Sequence, residues 1–298
     1  MGIGVIGLGN IGGAIAANLV ADGHDLIVHD TDPTRVAAIA GASAATTVGR
    51  VAEATDITLL SLPTPGIVDE VAKTWAEAAT AGSILVDLST NSVAAVRELG
   101  DRLATSGHQL VEAPLTGGAV GAERRMLVFM VGGDVDAVER VRPVLEPLGR
   151  GLFHVGDLGL GNTMKLINSL IAFTTTWVSL EGLSIAAKAG IPVPAAVEIL
   201  RTAGASNFYL DRMVETIDQR GRPTQFALAL ASKDAGLIVE TGDALEVPTP
   251  VGHAVLGVFQ DAVAAGLGEA DWSELVALAE QQAGIQLRWN TTDTSAEA

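Results

Sequence analysis

Residues 3–12 read Ile3-Gly4-Val5-Ile6-Gly7-Leu8-Gly9-Asn10-Ile11-Gly12, in which a predicted strand, Ile3–Ile6, passes directly into a glycine-rich turn. The residues that follow, through Ala21, carry apolar side chains at helical spacing. Strand, turn and helix in this order, with glycines at the first, third and sixth turn positions, predict the start of a dinucleotide-binding βαβ unit. In such a unit the first glycine tightens the turn, the second lets the backbone approach a pyrophosphate, and the third permits close helix–strand contact. We therefore assign the whole turn to cofactor binding: Gly7, Leu8, Gly9, Asn10, Ile11 and Gly12.

The second predicted strand, Asp25–His29, runs directly into Asp30. A carboxylate at this place, about 20 residues beyond the glycine loop, binds the hydroxyls of the adenosine ribose and repels a 2′-phosphate. No arginine follows until Arg35. The sequence therefore predicts NAD as the cofactor, with NADP the less favoured alternative.

Short apolar runs alternate with helical stretches through the first half of the chain, which predicts a parallel sheet covered by helices on both faces. The further strands are expected at Ile57–Leu62, Ile84–Leu88, Gln109–Glu112, Val128–Gly132 and Gly151–Val155, with helices such as Ile11–Ala21 and Val93–Thr105.

After Gly156 the pattern becomes helical, beginning with a proline-free run from about Asn162 to Ala189. Its stretch Leu166–Leu180 carries no charge, and we expect it to be buried on most sides. Helix breaks are expected at Gly190-Ile-Pro192, Gly221-Arg-Pro223 and Val247-Pro-Thr-Pro250. The predicted fold is α/β: a doubly wound parallel-sheet Rossmann domain over residues 1–162, an all-α domain over 163–289 built around a long interdomain helix, and a polar tail over 290–298.

Composition excludes several classes of partner. The 298 residues carry a formal net charge of −17, which repels nucleic acid and anionic membrane surfaces. The uncharged stretch Leu166–Leu180 is shorter than the roughly 20 residues that cross a bilayer. Cysteine is absent, which excludes thiolate zinc sites and fits a reducing compartment, so we expect a cytoplasmic protein. The five histidines and the carboxylates show no metal-ligand spacing, so no metal site is expected.

Four more motifs stand where a dinucleotide domain meets its substrate. They are Leu62-Pro63, Asp87-Leu-Ser-Thr90, Glu112-Ala-Pro-Leu-Thr-Gly-Gly118, and Gly159-Leu-Gly161 followed by Lys165 and Asn168. The pair Lys233-Asp234 comes later, on a predicted helix. Lys165 and Asn168 are one helical turn apart and therefore share a face.

With these motifs in this order and spacing, the chain from Ile3 to about Gly284 resembles the β-hydroxyacid dehydrogenase family. Members read GLGxMG, DxST, DAPVSGG, GxGxxxKxxN and KD, where this chain reads GLGNIG, DLST, EAPLTGG, GLGNTMKLIN and KD. The resemblance implies a 3-hydroxyisobutyrate dehydrogenase-like oxidoreductase that moves a hydride between a nicotinamide cofactor and a small β-hydroxyacid or its semialdehyde. It also implies a homodimer or higher homo-oligomer joined through the helical domains.

The family's residue roles are implied by the same match. Lys165 would be the catalytic acid/base and Asn168 would orient it and the substrate. Thr116, Gly117 and Gly118 would bind the substrate carboxylate. Thr90 and Lys233 would touch the cofactor, with Leu62 and Pro63 lining its site.

Three departures from the family pattern affect the substrate more than the chemistry. Thr116 replaces the usual serine, and Ser169, assigned to substrate binding, stands where many members have a second asparagine. The segment Arg124-Arg125-Met126 is bulkier and more basic than its usual counterpart.

Other functions remain alternatives. Imine reductases share the architecture but generally lack the lysine and favour NADPH, so Lys165 and Asp30 both speak against that activity. A 6-phosphogluconate dehydrogenase would carry histidine in place of Asn168 and a far longer helical domain. A non-catalytic NAD-binding module would have lost Lys165.

Overall fold

The computed structural model describes residues 2–289, and the predicted tail at 290–298 lies outside the described residues. Contacts within the chain divide it into two units, with the break between Leu166 and Ile167. Each unit is described by itself below.

The first unit is built on a nine-stranded sheet. The strands are β1 Ile3–Ile6, β2 Leu26–His29, β3 Ser43–Ala44, β4 Ile57–Leu60, β5 Ile84–Asp87, β6 Gln109–Glu112, β7 Leu115–Thr116, β8 Leu127–Gly133 and β9 Gly149–Gly156. They lie in the order β3-β2-β1-β4-β5-β6-β8-β7, with β9 paired to β8. Strands β1 to β3 are added toward one edge of the sheet and β4 to β6 toward the other, so the strand order reverses between β1 and β4. Ligands of doubly wound sheets bind outside the carboxyl ends of the strands at this switch point.

The sheet is parallel from β3 to β6, as predicted, but β8 runs antiparallel to both β6 and β7. The short strands β3 and β7 were not predicted, because two residues are too few to show an alternating pattern. The prediction of a doubly wound α/β domain is confirmed, with a mixed edge added to the parallel sheet.

Seven helices surround this sheet within the described residues of the first unit. They are α1 Asn10–Ala21, α2 Pro33–Ala38, α3 Val48–Ala54, α4 Pro65–Ala78, α5 Val93–Thr105, α6 Gly118–Glu123 and α7 Val135–Leu145. Strand side chains alternate between two buried clusters: Val5 belongs to one, whereas its neighbour Ile6 belongs to the other. Both faces of the sheet are therefore covered, which is why its strands read as continuous apolar runs.

Helix α8, Leu160–Lys188, begins in the first unit and continues into the second. The second unit adds α9 Val193–Thr202, α10 Phe208–Asp218, α11 Leu228–Ala244, α12 Pro250–Ala262 and α13 Leu275–Ala283. The three predicted breaks lie between successive helices, the last of them ending at Pro250, the first residue of α12. Phe173 of α8 packs on Phe259 and Trp272, with ring centroids 4.8 Å and 5.6 Å apart.

The stretch Leu166–Leu180 is buried or partly buried on most sides, as expected, but one side of α8 is exposed in the single chain. Ile167, Ile171, Val178 and Ile185 are 45–71% exposed. At 100° per residue these four positions lie within about 40° of one another around the helix, so they form one apolar stripe. Among the described residues, α8 is the one helix whose length and composition could cross a membrane, a test that a core helix of a soluble protein also passes.

Candidate active site

The glycine loop between β1 and α1 has the geometry that its motif predicts. Gly7 has φ +90°, and a Cβ there would overlap the Ser61 carbonyl oxygen, so only glycine fits. A Cβ on Gly12 would overlap the Gly7 carbonyl oxygen, which explains the close packing of helix on strand. Gly9 is different, because a Cβ there would meet no atom within 4 Å. The space in front of Gly9 is open, as the approach of a pyrophosphate requires.

The N-terminus of α1 suits an anion. No side chain caps it at Gly9, and its first turn contains no acidic residue. The neighbouring helices differ, since α2, α3, α4 and α5 are each capped by an Asp, Ser or Thr side chain. Backbone N–H groups at an uncapped helix start bind phosphate through hydrogen bonds and the helix dipole. A dinucleotide cofactor therefore fits these residues, with its pyrophosphate held by the loop and the start of α1.

Asp30 follows directly after β2 and lies beside this loop. Its carboxylate accepts hydrogen bonds from the N–H of Leu8 at 2.6 Å and from the N–H of Asp32 at 2.8 Å. The Arg35 guanidinium lies 3.7 Å from the same carboxylate and is half exposed. Asp30 thus connects the glycine loop to the end of β2, and a positive charge stands next to it.

Two further cofactor candidates meet at the carboxyl ends of β4 and β5. The N–H of Leu62 donates to the Ser89 hydroxyl at 3.0 Å, which brings Leu62 and Pro63 beside the loop that contains Thr90. Ser89 in turn donates its N–H to the Asp87 carboxylate at 2.9 Å. Burial raises the pKa of Asp87 to about 6, against hydrogen bonds from Ser89 and Asn91 that favour the ionised form.

The Thr116-Gly117-Gly118 segment lies where β7 passes into α6. Gly117 and Gly118 have φ of +126° and +64°, a left-handed backbone that favours glycine. Beyond α6, the Arg125 guanidinium binds the Asp22 carboxylate at 2.7 Å and 2.9 Å. Arg125 therefore ties the end of α6 to the end of α1, and this departure from the family pattern has a structural partner of its own.

The start of α8 contains a buried cluster that the sequence did not single out. The Glu112 carboxylate, at the end of β6, accepts hydrogen bonds from the N–H groups of Gly159, Gly161 and Asn162 at 2.5–3.0 Å. It also accepts one from the Asn162 side-chain amide at 2.6 Å. Burial raises the pKa of Glu112, opposed by these four hydrogen bonds. Lys165 follows Gly161 by four residues on the same helix and therefore on the same face.

The remaining predicted residues belong to the second unit. Asn168 and Ser169 lie on α8, three and four residues after Lys165, and Ser169 is buried. Lys233 lies on α11, where its Nζ is 2.9 Å from the carboxylate of the buried Asp234. Within residues 2–289 no group of three or more His, Asp and Glu side chains could hold a metal ion.

Fold and site together define a class of two-unit, dinucleotide-binding proteins. A Rossmann unit is followed by a helical unit, and the helical unit contains the predicted site residues Asn168, Ser169 and Lys233. Residues 2–156 match the model of the NAD binding domain of 6-phosphogluconate dehydrogenase. Residues 159–279 match the model of the NAD-binding domain of NADP-dependent 3-hydroxyisobutyrate dehydrogenase.

Among curated proteins, the chain is 33% identical to 2-(hydroxymethyl)glutarate dehydrogenase of Eubacterium barkeri, over 96% of this chain and 97% of that one. It is 32% identical to 2-hydroxy-3-oxopropionate reductase of Escherichia coli, over 96% and 100%. Among solved structures, 3-hydroxyisobutyrate dehydrogenase of Mycobacterium tuberculosis with L-serine superposes with a TM-score of 0.84 at 26% identity, covering 93% of this chain and 98% of that one.

The chain belongs to the β-hydroxyacid dehydrogenase family and is a 3-hydroxyisobutyrate dehydrogenase-like, NAD(P)-dependent oxidoreductase acting on a hydroxyl group. An imine reductase from Streptomyces aurantiacus superposes with a TM-score of 0.63 at 23% identity, which shows a common fold alone.

Proposed function

We propose that this enzyme interconverts a small β-hydroxyacid and the matching semialdehyde, with Lys165 as the acid/base and NAD as the preferred cofactor. The observation that supports it best is the placement of Lys165. It lies one turn into α8, and the start of α8 is hydrogen-bonded to Glu112 and Asn91 at the carboxyl ends of β6 and β5. The open N-terminus of α1 begins at the same edge of the same sheet.

In the oxidation direction, the Lys165 Nζ takes the proton of the substrate hydroxyl as the C–H bond at that carbon breaks. The nicotinamide, when bound, supplies a hydride acceptor. The hydroxyl carbon becomes an aldehyde carbon, and the reaction releases one proton together with the reduced cofactor. In reduction, the protonated lysine donates to the carbonyl oxygen. Proton transfer of this kind contributes roughly 10²–10⁴-fold to the rate.

We propose roles for the other predicted site residues as well. Asn168, one turn further along α8, orients the lysine and the substrate oxygen. Thr116, Gly117 and Gly118 hold the substrate carboxylate through the threonine hydroxyl and backbone N–H groups, with Ser169 completing the substrate site. Thr90 and Lys233 touch the cofactor, and Leu62 and Pro63 line its site.

Asp30 supports the preference for NAD. Its carboxylate stands at the end of β2, where a 2′-phosphate would bring two more negative charges. Arg35 works against that repulsion, because its guanidinium is 3.7 Å from Asp30 and half exposed. We therefore expect a moderate preference for NAD and measurable activity with NADP.

The names of the relatives narrow the substrate class. 2-(Hydroxymethyl)glutarate and 2-hydroxy-3-oxopropionate each carry a terminal oxygen-bearing carbon β to a carboxylate. We propose that this chain acts on the same class, a primary alcohol or aldehyde β to a carboxylate. The test is a panel of such acids and semialdehydes, followed by absorbance at 340 nm with NAD or NADP. Turnover of compounds without the carboxylate at equal kcat/KM would contradict the proposal.

We also propose that a second copy of this chain covers the apolar stripe of α8. From Ile167 to Ile185 the stripe is about 27 Å long at 1.5 Å per residue, a length that an obligate dimer interface can bury. Light scattering on dilute protein should give a mass of twice 30.5 kDa or more. Ile171→Glu should lower that mass, whereas Val135→Glu, an equally exposed site on α7, should not. A fully active wild-type protein at 30.5 kDa would refute the dimer.

The cytoplasmic location remains a prediction, which cell fractionation would test.

A further inference from the structure

The backbone N–H groups at the start of α8 donate mainly to one carboxylate, which comes from a distant part of the chain. An α-helix begins with four backbone N–H groups that have no partner inside the helix. In α8 these belong to residues 159–162. The Glu112 carboxylate accepts three of them, from Gly159, Gly161 and Asn162. The fourth, that of Leu160, donates to the Asp157 carbonyl oxygen.

Two glycines make room for this carboxylate. A Cβ on Gly161 would come within 3.0 Å of the Glu112 side chain and 2.6 Å of the Met130 carbonyl oxygen. A Cβ on Gly132, on the neighbouring strand β8, would overlap the Glu112 Oε1. Glu112 therefore lies in a closely fitting space between a strand and a helix, and its side chain is fully buried. Because the fit is so close, the first turn of α8 can take only one position relative to the sheet.

The same carboxylate orients Asn162, and Asn162 extends the contact to a cofactor loop. The Asn162 Nδ2 donates to Glu112 at 2.6 Å, while its Oδ1 accepts the N–H of Asn91 at 2.8 Å. Reversing the amide would set the Asn162 NH₂ against the N–H of Asn91 and the amide oxygen against the Glu112 carboxylate, so its orientation is unique. Asn91 in turn donates from its side chain to Asp87, and it directly follows Thr90. One hydrogen-bonded chain thus connects the ends of β5 and β6 with the start of α8.

We propose that Glu112, through the first turn of α8 and Asn162, is the positioning residue that sets the place of Lys165 relative to the cofactor loop at Thr90. This inference rests on the proposed role of Lys165. Because a displacement of about 1 Å at a reacting group lowers rates by up to 10²-fold, a small shift of this turn is enough to affect turnover.

Kinetics of Glu112→Gln give the first test. Glutamine matches the shape of glutamate, but its NH₂ meets donors in either orientation. It faces the N–H and Nδ2 of Asn162 at the Oε2 position, or the N–H groups of Gly159 and Gly161 at the Oε1 position. We expect kcat to fall tenfold to a hundredfold with the cofactor Kd, by calorimetry with NAD, changed less than threefold. Glu112→Asp keeps both acceptor oxygens on a shorter stem and should recover part of the loss. Glu77→Gln, an exposed site on α4, is the matched control. A kcat within threefold of wild type in Glu112→Gln, or no recovery in Glu112→Asp, overturns the proposal.

A double mutant shows whether Glu112 acts through Lys165. If it does, adding Glu112→Gln to Lys165→Ala should lower kcat by less than threefold further, because the group being positioned is already gone. A full additional loss would show that Glu112 acts elsewhere and would overturn the proposal.

Hydrogen exchange gives a reading that does not depend on activity. Amides in the peptide 158–166 should exchange at least tenfold faster in Glu112→Gln than in wild type, and unchanged exchange overturns the anchoring role. If Glu112→Gln does not fold, Asn162→Ala takes its place in both experiments under the same criteria. If the wild type turns over none of the substrates tested, the proposed function fails, while the exchange result still decides whether Glu112 holds the helix.

Discussion

The tetrapeptide Gly-Leu-Gly-Asn occurs twice in this chain, at residues 7–10 and 159–162, and each copy lies at the start of a helix. The two helix starts differ completely in their surroundings. At α1 no side chain caps the helix, and Gly9 faces open space. At α8 the carboxylate of Glu112 occupies the position that an anionic ligand would take, and Asn162 is fully buried.

A carboxylate stands near both copies, but it arrives at a different place. Asp30 accepts from the N–H of Leu8, one residue before the helix cap, and leaves the helix start free for a ligand. Glu112 accepts from the helix start itself. One copy is therefore a binding site and the other is an anchor, although four consecutive residues are identical. The helix N-terminus attracts negative charge in both cases, and the fold decides whether that charge is a ligand or a side chain.

The largest expected effect belongs to the anchored helix. Lys165→Ala should lower kcat by about 10²–10⁴-fold, because general acid/base catalysis is lost, while the cofactor Kd stays nearly unchanged. Steady-state kinetics and calorimetry measure the two quantities, with the exposed Lys73→Ala on α4 as control. A variant that keeps more than half of the wild-type kcat would exclude Lys165 as the acid/base.

Titration of the buried Asp87, which is hydrogen-bonded through Asn91 to the start of α8, should make the free energy of unfolding depend on pH. Folding raises the pKa of Asp87 from 3.8 to about 6, since burial favours its protonated form. Its contribution to the free energy of unfolding is therefore full below about pH 4 and is lost as the pH rises through 6, by about 3 kcal/mol in total.

Asp87→Asn removes this contribution. Relative to wild type, its free energy of unfolding in urea should improve by up to about 3 kcal/mol between pH 4 and pH 7. The exposed Asp101→Asn on α5 should show no such trend. Parallel curves for wild type and Asp87→Asn would mean that Asp87 does not titrate in this range.

Matched glycine substitutions test the comparison directly. Gly161→Ala places a Cβ 2.6 Å from the Met130 carbonyl oxygen, so overpacking should cost about 1–3 kcal/mol and lower Tm by several degrees. Gly9→Ala meets no atom within 4 Å and should leave Tm unchanged. It should raise the cofactor Kd about tenfold, which is 1.4 kcal/mol, by obstructing the approach of the pyrophosphate. A reversed pattern, with Gly9→Ala unstable and Gly161→Ala impaired only in binding, would end the distinction between the two helix starts.

The smallest effect concerns cofactor choice at the open helix. Asp30→Ala should narrow the ratio of NAD to NADP affinity several-fold, because the charge that opposes a 2′-phosphate is gone. Asp30→Asn removes the charge but keeps one of the two acceptors, so its oxygen can still accept from the N–H of Leu8 while the bond from the N–H of Asp32 is lost. A like change in both variants therefore points to the charge rather than to a loosened glycine loop. Calorimetry with both cofactors measures the ratio. Tighter binding of NADP by the wild type would show that Arg35 dominates over Asp30.

Much of the fold was accessible from local patterns. β1 and β6 begin and end where predicted, and α5 spans Val93–Thr105 as expected. These elements are read well because burial on both faces of a parallel sheet leaves continuous apolar runs, and helices leave a 3.6-residue period. The antiparallel strand β8 was read as a strand but not as antiparallel, because direction depends on the pairing partner and not on its own residues.

By itself, the sequence determined the alternation of strands and helices in the first unit, the glycine loop of the cofactor site and the position of Lys165 within its motif. Only the tertiary structure decided which of the two Gly-Leu-Gly-Asn segments is open and which is filled. Glu112 lies 47 residues before Gly159 along the chain, and the fold brings its carboxylate to the start of α8. The local sequence Gly-Leu-Gly-Asn cannot reveal a hydrogen-bond partner that is so distant along the chain, because hydrogen bonds depend on proximity in space.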